Sequence, residues 1–144
     1  MIDPEVLVLT NGLSDLDVIY RSLDGEAGNQ EEEGIRAVGC VIQNRVKLKW
    51  QGETTARGVC LHRKQFSCWL PGPDRDRIMK PDYVPPLLCV NIAFKVYYNL
   101  LVDITGGADS YEVTGTGAYW TDGLQPVAII GAHSFYTTRN LNVK

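Results

Sequence analysis

Between Glu31 and Lys49 the chain carries the pattern that most limits how it can fold. Ile35, Val38, Val41, Ile42, Val46 and Leu48 recur at helical spacing and form an apolar face wide enough for a central, buried helix. Its first turn carries Glu31, Glu32 and Glu33, and its end carries Arg45, Lys47 and Lys49. Acids at the N-terminus and bases at the C-terminus suit the helix dipole at both ends. Gly34 and Gly39 each weaken helicity by about 1 kcal/mol relative to Ala, so their expected use is close packing against another helix. The remaining elements have to be arranged around this one.

Upstream, Ser14 and Asp17 approximate a capping box, and Leu16, Ile19, Tyr20 and Leu23 predict an amphipathic helix over 15–25. Downstream, Thr54 or Thr55 caps a short helix running to about Arg63, with Val59 and Leu61 inward. Gln65-Phe66-Ser67-Cys68-Trp69 is an aromatic and polar segment, closed by a loop at Pro71-Gly72-Pro73. The alternating charges of 73–77 read as a solvated turn. Pro85-Pro86 opens a long helix, Pro86 in its first turn, whose apolar residues from Leu87 to Leu101 should pack on the central helix. It stops before Thr105-Gly106-Gly107. Segments 110–113 and 117–120 flank Thr114-Gly115-Thr116 as a hairpin, and 126–136 reads as a further strand or extended return. Helices followed by a small β region predict an α+β domain, mainly α.

At 144 residues the chain is expected to form one domain, 1–144, with its core over about 15–137. Net charge is −3 and the fourteen Lys and Arg are scattered, which argues against a nucleic-acid or anionic-membrane partner. The N-terminal stretch Met1–Thr10 opens acidic and its apolar run is brief, so neither a secretory signal nor a membrane anchor is expected. The expected site of synthesis is the cytoplasm, and free thiols are expected for Cys40, Cys60, Cys68 and Cys89. Cys60, His62 and Cys68 lack the paired spacing of a zinc site. No cofactor motif and no metal site are read, and a monomer is expected.

The stretch most suggestive of chemistry is Asp24-Gly25-Glu26-Ala27, between the two predicted helices. A carboxyl group at such a junction, with apolar residues on both sides and a glycine-permitted gap in front, has the setting of a general acid. A helix end followed by a solvated acidic turn is the plainer alternative.

Taken together, these segments resemble the SleB-like cell wall hydrolases, typified by spore-cortex-lytic enzymes. That family's Gly-Glu-Ala, Glu-Gly and Asn-Arg-Val elements correspond to Gly25-Glu26-Ala27, Glu33-Gly34 and Asn44-Arg45-Val46. Its Gln-Phe-Ser segment corresponds to Gln65-Phe66-Ser67, and its Asp-x-Thr-x-Gly-Ala turn and aromatic to Asp103, Thr105, Gly107, Ala108 and Tyr111. Trp120, then Gly131, His133 and Phe135, match its closing elements. One departure is Gly28-Asn29-Gln30, where the family usually has Arg-Gly-Glu. Family members from bacteria usually carry a signal and a wall-binding domain, so this chain looks more like a bacteriophage endolysin or virion-associated lysin, made in the host cytoplasm and acting on the cell wall.

The resemblance implies a lysozyme-like fold related to lytic transglycosylases, with a small β-hairpin region near the C-terminus. It also implies bacterial peptidoglycan as partner, with cleavage of the β-1,4 bond between N-acetylmuramic acid and N-acetylglucosamine. Glu26 would be the general acid. Asp24, Glu33, Asp103 and Glu112 stay open as a second acid, although Glu33 suits a helix start better. A lytic transglycosylase needs no second carboxylate; a hydrolysing muramidase does. A non-catalytic wall-binding or virion module of the same fold is the third alternative. Gln65, Phe66, Ser67, Tyr111, Trp120 and His133 are the candidate substrate-binding residues. For His133 the plainer reading is a buried histidine that holds the C-terminal segment. Asn44 and Arg45 are expected to tie the central helix's end to a loop.

Overall fold

The computed structural model describes residues 1–138; the last residues of the expected domain, 139–144, lie outside them. Six α-helices precede a small sheet: α1 Pro4–Leu9, α2 Asp15–Ala27, α3 Glu32–Leu48, α4 Ala56–Leu61, α5 Pro73–Ile78 and α6 Leu87–Tyr97. The strands are β1 Ser110–Val113, β2 Ala128–Ile130 and β3 His133–Tyr136.

Helix α3 is the central element. Ile35, Val38, Val41 and Ile42 are buried, while Leu48 at its far end is exposed. Gly39 brings α3 against α6: a Cβ there would lie 3.0 Å from both the Ile92 and Leu101 side chains. That is the close packing expected of it. Helix α2 starts at the Ser14–Asp17 capping box, with each residue's side chain accepting from the other's backbone N–H at 3.1 Å. Burial of Val18, Ile19, Leu23 and Ala27 holds α2 in the same core.

The C-terminal half of α3 does more than fill space. Gln43 exchanges two hydrogen bonds with the Leu101 backbone, at 2.8 and 3.0 Å. Asn44 donates to the Ala108 carbonyl at 2.9 Å and to Asp103 at 3.2 Å, and Arg45 Nε donates to the Asp109 carbonyl at 2.6 Å. Three consecutive polar side chains thus fix the segment that leads into β1, and Asn44 and Arg45 tie helix to loop as expected. Asp103 answers with its own acceptors. Burial works to raise its carboxyl, but bonds from Thr105, Asn44 and Gly107 outweigh that and hold it below the usual range.

The predicted hairpin between 110–113 and 117–120 does not form. Only 110–113 is a strand, and it pairs antiparallel with β3, Tyr111 opposite Phe135, while Tyr119–Thr121 is a 3₁₀ turn. Segment 126–136 supplies the hairpin instead, with β2 and β3 joined at Gly131-Ala132, so the sheet order is β1-β3-β2. As central strand, β3 is buried at every residue. Phe135 seals it onto Ala37 and Val41 of α3 and onto Ala108.

Three further expectations need correction. Segment 73–77 is helical, because Pro73 sits at the start of α5 and Ile78 at its end anchors it in the core. Pro86 is the N-cap of α6 rather than in its first turn, and that helix ends at Tyr97 although apolar residues continue to Leu101. The amphipathic helix over 15–25 extends through Ala27, which puts Glu26 inside its last turn rather than in a loop.

All four cysteines are buried, unbridged thiols. Burial pushes them up, to about 11 for Cys40 and Cys89, to about 12 for Cys60, and well above normal for Cys68. Thiols so protonated and enclosed react slowly. We expect alkylation at neutral pH to label the native protein hardly at all and to reach four labels per chain after denaturation without reductant. Rapid labelling of the native protein, or fewer than four labels after denaturation, would contradict this.

Candidate active site

The last turn of α2 meets the Phe66–Trp69 segment and β1, and Glu26 lies where they join. Tyr111 donates its hydroxyl to Glu26 Oε1 at 2.6 Å, and the Cys68 backbone N–H donates to Oε2 at 3.1 Å. Ser67 Oγ reaches the same Oε2 at 3.4 Å. Helix, turn and strand each supply one part, so the carboxyl group has a fixed orientation. Gly25 is what permits the turn to come this close: a Cβ there would fall 2.5 Å from Cys68 Cβ and 2.8 Å from its sulfur.

Glu26 opens on two depressions. The larger is a groove of about 550 Å³ walled by Arg45, Trp50, Gln65, Phe66, Tyr111 and Trp120, with Lys64 and Tyr119 at its edge. Aromatic faces with a few polar groups between them suit a sugar polymer. The smaller, about 440 Å³, is polar and lined by Asp24, Gly25, Gly28, Asn29, Asp74 and Arg77.

Tyr111 is the best-supported side chain of the groove. Its ring packs edge-on against His133 at 5.0 Å, tilted against Phe135 at 5.7 Å, and tilted against Phe66 at 6.4 Å. Burial, reinforced by the Glu26 charge, pushes its phenol well above the usual range, so it stays a proton donor throughout the neutral range.

Gln65, Phe66, Tyr111 and Trp120 line the groove with Glu26, and Ser67 touches the carboxylate. His133 does not line it. It is 5% exposed, behind Tyr111, because it lies on the central strand. Burial pulls its imidazole below the usual histidine range, leaving a neutral ring as packing support. Of the candidate second acids, Asp24, Glu112 and Asp103 have other partners. Asp24 is buried against Arg77 at 2.8 Å and Tyr83 at 2.6 Å; Glu112 accepts from Ala118 N and the Tyr136 hydroxyl. Asp103 holds its own loop, and Glu33 is exposed on the first turn of α3. Sequence reasoning missed Trp50, Lys64 and Tyr119, and it missed Asp74 in the polar depression. Among the described residues, no group of His, Cys, Asp and Glu gathers as a metal-ligand set, and no helix is long and apolar enough to cross a membrane.

A family model described as cell wall hydrolase matches residues 29–136, most of the chain. The chain belongs to the cell wall hydrolase family. Among solved structures, this cell wall hydrolase is similar to the catalytic domain of the germination-specific lytic transglycosylase SleB from Bacillus anthracis. The TM-score is 0.68 at 24% identity, over 88% of this chain and 98% of that one. The catalytic domain of the Bacillus cereus SleB protein gives the same score and identity, over 88% of this chain and 94% of that one. At this identity the likeness is one of fold, and it agrees with the mainly helical, lysozyme-like architecture with a small sheet. No curated protein matches the chain. The family match begins at Asn29, so in this hydrolase Glu26 stands on its geometry rather than on the match.

Proposed function

We propose that this cell wall hydrolase cleaves the β-1,4 bond between N-acetylmuramic acid and N-acetylglucosamine in peptidoglycan, as a lytic transglycosylase with Glu26 as acid and then base. The observation that carries the reading is a single carboxylate in the aromatic groove, oriented by Tyr111 and the Cys68 N–H. The description of the B. anthracis relative as a lytic transglycosylase points the same way.

In this mechanism Glu26 gives its proton to the leaving O4 as the glycosidic bond breaks. The muramoyl 6-hydroxyl then attacks its own anomeric carbon, and Glu26 takes up the hydroxyl proton. The carboxyl group ends as it began, no water is consumed, and the product is a 1,6-anhydromuramoyl end. One correctly placed carboxyl group suffices for both transfers. Tyr111 stays hydrogen-bonded to Glu26 through both and keeps its oxygen from swinging away.

Asp74, on the opposite flank of Glu26, is the observation that favours a second reading. A carboxylate there is the group a hydrolysing muramidase would use to activate water. Mass spectrometry of muropeptides released from isolated peptidoglycan separates the two, because their products differ by one water. Reducing muramoyl ends with no anhydro form would overturn the transglycosylase reading, and loss of activity in Asp74→Asn would then identify the second carboxylate.

Tyr111→Phe tests how the acid is held. It keeps the ring packing and removes the donor to Glu26. A hydrogen bond to a charged group is worth about 1.5–3 kcal/mol, so kcat should fall about ten- to a hundredfold while the melting temperature stays close to wild type. Unchanged kcat would show that the phenol is not needed to orient Glu26.

A further inference from the structure

Among the described residues no carboxylate lies within ion-pair distance of the buried Arg45, and the charges of Asp109 and Glu26 act on it only from farther away. Arg45 is 4% exposed, and Nε–H is spent on the Asp109 carbonyl at 2.6 Å. Its Nη1 is buried with no hydrogen-bond partner. The guanidinium carbon sits over Trp50, 3.8 Å from the ring centre, and 5.8 Å from the Phe66 ring centre. Arg36, Arg57, Arg63, Arg75 and Arg77 each pair with a carboxylate, although all are more exposed. Among the described residues Arg45 and Arg21 have no such partner; Arg21, whose Nε is likewise buried and unpaired, donates to the Ile78 carbonyl and does not line the groove. The Glu26 oxygens accept from Tyr111, Ser67 and the Cys68 N–H, not from Arg45.

A strut between α3 and Asp109 uses Nε and the contact with Trp50 only. It leaves the outer edge of the guanidinium unexplained, and a buried cation without a counter-charge is destabilising by several kcal/mol in general. Burial pulls this group down to about 10, so at neutral pH it keeps its proton and its charge. The residue also lines the groove beside Trp50 and Phe66. A planar, charged donor edge in an aromatic groove is matched by a carboxylate, which accepts two parallel N–H bonds.

We propose that Arg45 is the anion-binding residue of the groove and takes a carboxylate carried by the glycan strand. This rests on the peptidoglycan reading above. Two sources offer that chemistry: the lactyl carboxylate of a muramoyl residue stripped of its peptide, and a carboxylate of the stem peptide. Arg45 acts here as a positioning residue, fixing where the strand sits relative to Glu26.

Equilibrium binding tests this without cleavage. Glu26→Gln protein keeps soluble glycan strands whole, and Trp50 and Trp120 in the groove report occupancy by fluorescence quenching. Three polymers are compared: peptide-bearing strands, the same strands with every carboxyl group amidated, and peptide-free strands that keep only lactyl carboxylates. The amidated strands should bind about ten- to a hundredfold more weakly than the native ones, as for loss of a charge-assisted hydrogen bond. Peptide-free strands that bind like native strands assign the lactyl carboxylate; if they bind as weakly as amidated strands, the stem carboxylate is assigned. Adding Arg45→Met should erase the preference and Arg45→Lys should keep part of it. If the methionine variant does not fold, the three polymers on unaltered Arg45 still decide. Equal binding of native and amidated strands, a preference that survives in Arg45→Met, or no quenching by any polymer would overturn the inference. Strands that bind wild-type protein but are never cut would count against the proposed function and leave this inference standing.

Discussion

Glu26→Gln should lower turnover on peptidoglycan by about a hundred- to ten-thousand-fold, the range typical of a general acid. The upper end is expected because, in the mechanism proposed above, one carboxyl group serves both proton transfers. Shape is kept, and the surroundings adapt: the Cys68 N–H continues to donate to the amide oxygen, and the Tyr111 hydroxyl turns to accept from the new NH₂. Stability should therefore stay within about 1 kcal/mol of wild type. Glu33→Gln is the control. That residue is exposed on the first turn of α3, so its loss should shift stability by no more than about 1 kcal/mol through the helix dipole and leave turnover intact. An active Glu26→Gln protein beside an inactive Glu33→Gln protein would move the acid to the other residue.

Gly25→Ala should disturb fold and site together. On helix propensity alone the change is favourable by about 1 kcal/mol. Packing opposes it, because the new methyl would sit 2.5 Å from Cys68 Cβ and 3.4 Å from Ile78 Cδ1, both on buried residues. Overpacking of this kind destabilises by about 1–3 kcal/mol. Since the Cys68 N–H donates to Glu26, any shift that relieves the clash also moves a donor away from the carboxylate. Denaturant unfolding should show a lower midpoint, with kcat falling more than the loss of folded protein explains. A more stable Gly25→Ala protein would mean that propensity outweighs the contact.

Helices α2 and α3 were legible because each combines apolar residues at helical spacing with a recognisable start; α4 was legible from its Thr55 cap, although it ends at Leu61 rather than near Arg63. The failures have specific physical causes. Helix α5 is too short to show a period, and what holds it is tertiary: Ile78 in the core and Arg77 on Asp24. Leu101 looked like a continuation of α6 because it is apolar, yet it lies in the loop that Gln43 clamps and is buried against α3 at Gly39. β1 pairs with β3, which is remote in sequence, and the local turn at Thr114-Gly115-Thr116 could not reveal that. At the site, Gln65, Phe66, Tyr111 and Trp120 are brought to one groove with Glu26. His133 was a candidate there through the Gly131-x-His133-x-Phe135 resemblance, but its position on the central strand buries it, in line with the plainer reading of a buried histidine. Trp50 and Tyr119 carried no periodic or spacing signal, and the placement of Arg45 over Trp50 depends on a backbone reversal at Lys49, which is left-handed at φ 50°.

The hydrogen bond from Tyr111 to Glu26 joins positions 85 residues apart. Contacts of such long sequence separation form late, after the entropy of closing the intervening loop has been met. A chain emerging from the ribosome exposes Glu26 early, together with Gln65 and Phe66, but lacks the strand that orients the carboxyl group. The orientation of this carboxyl group is therefore tied to the placement of β1. Without β1 docked on β3 and α3, Glu26 keeps only the donors of the Phe66–Trp69 segment.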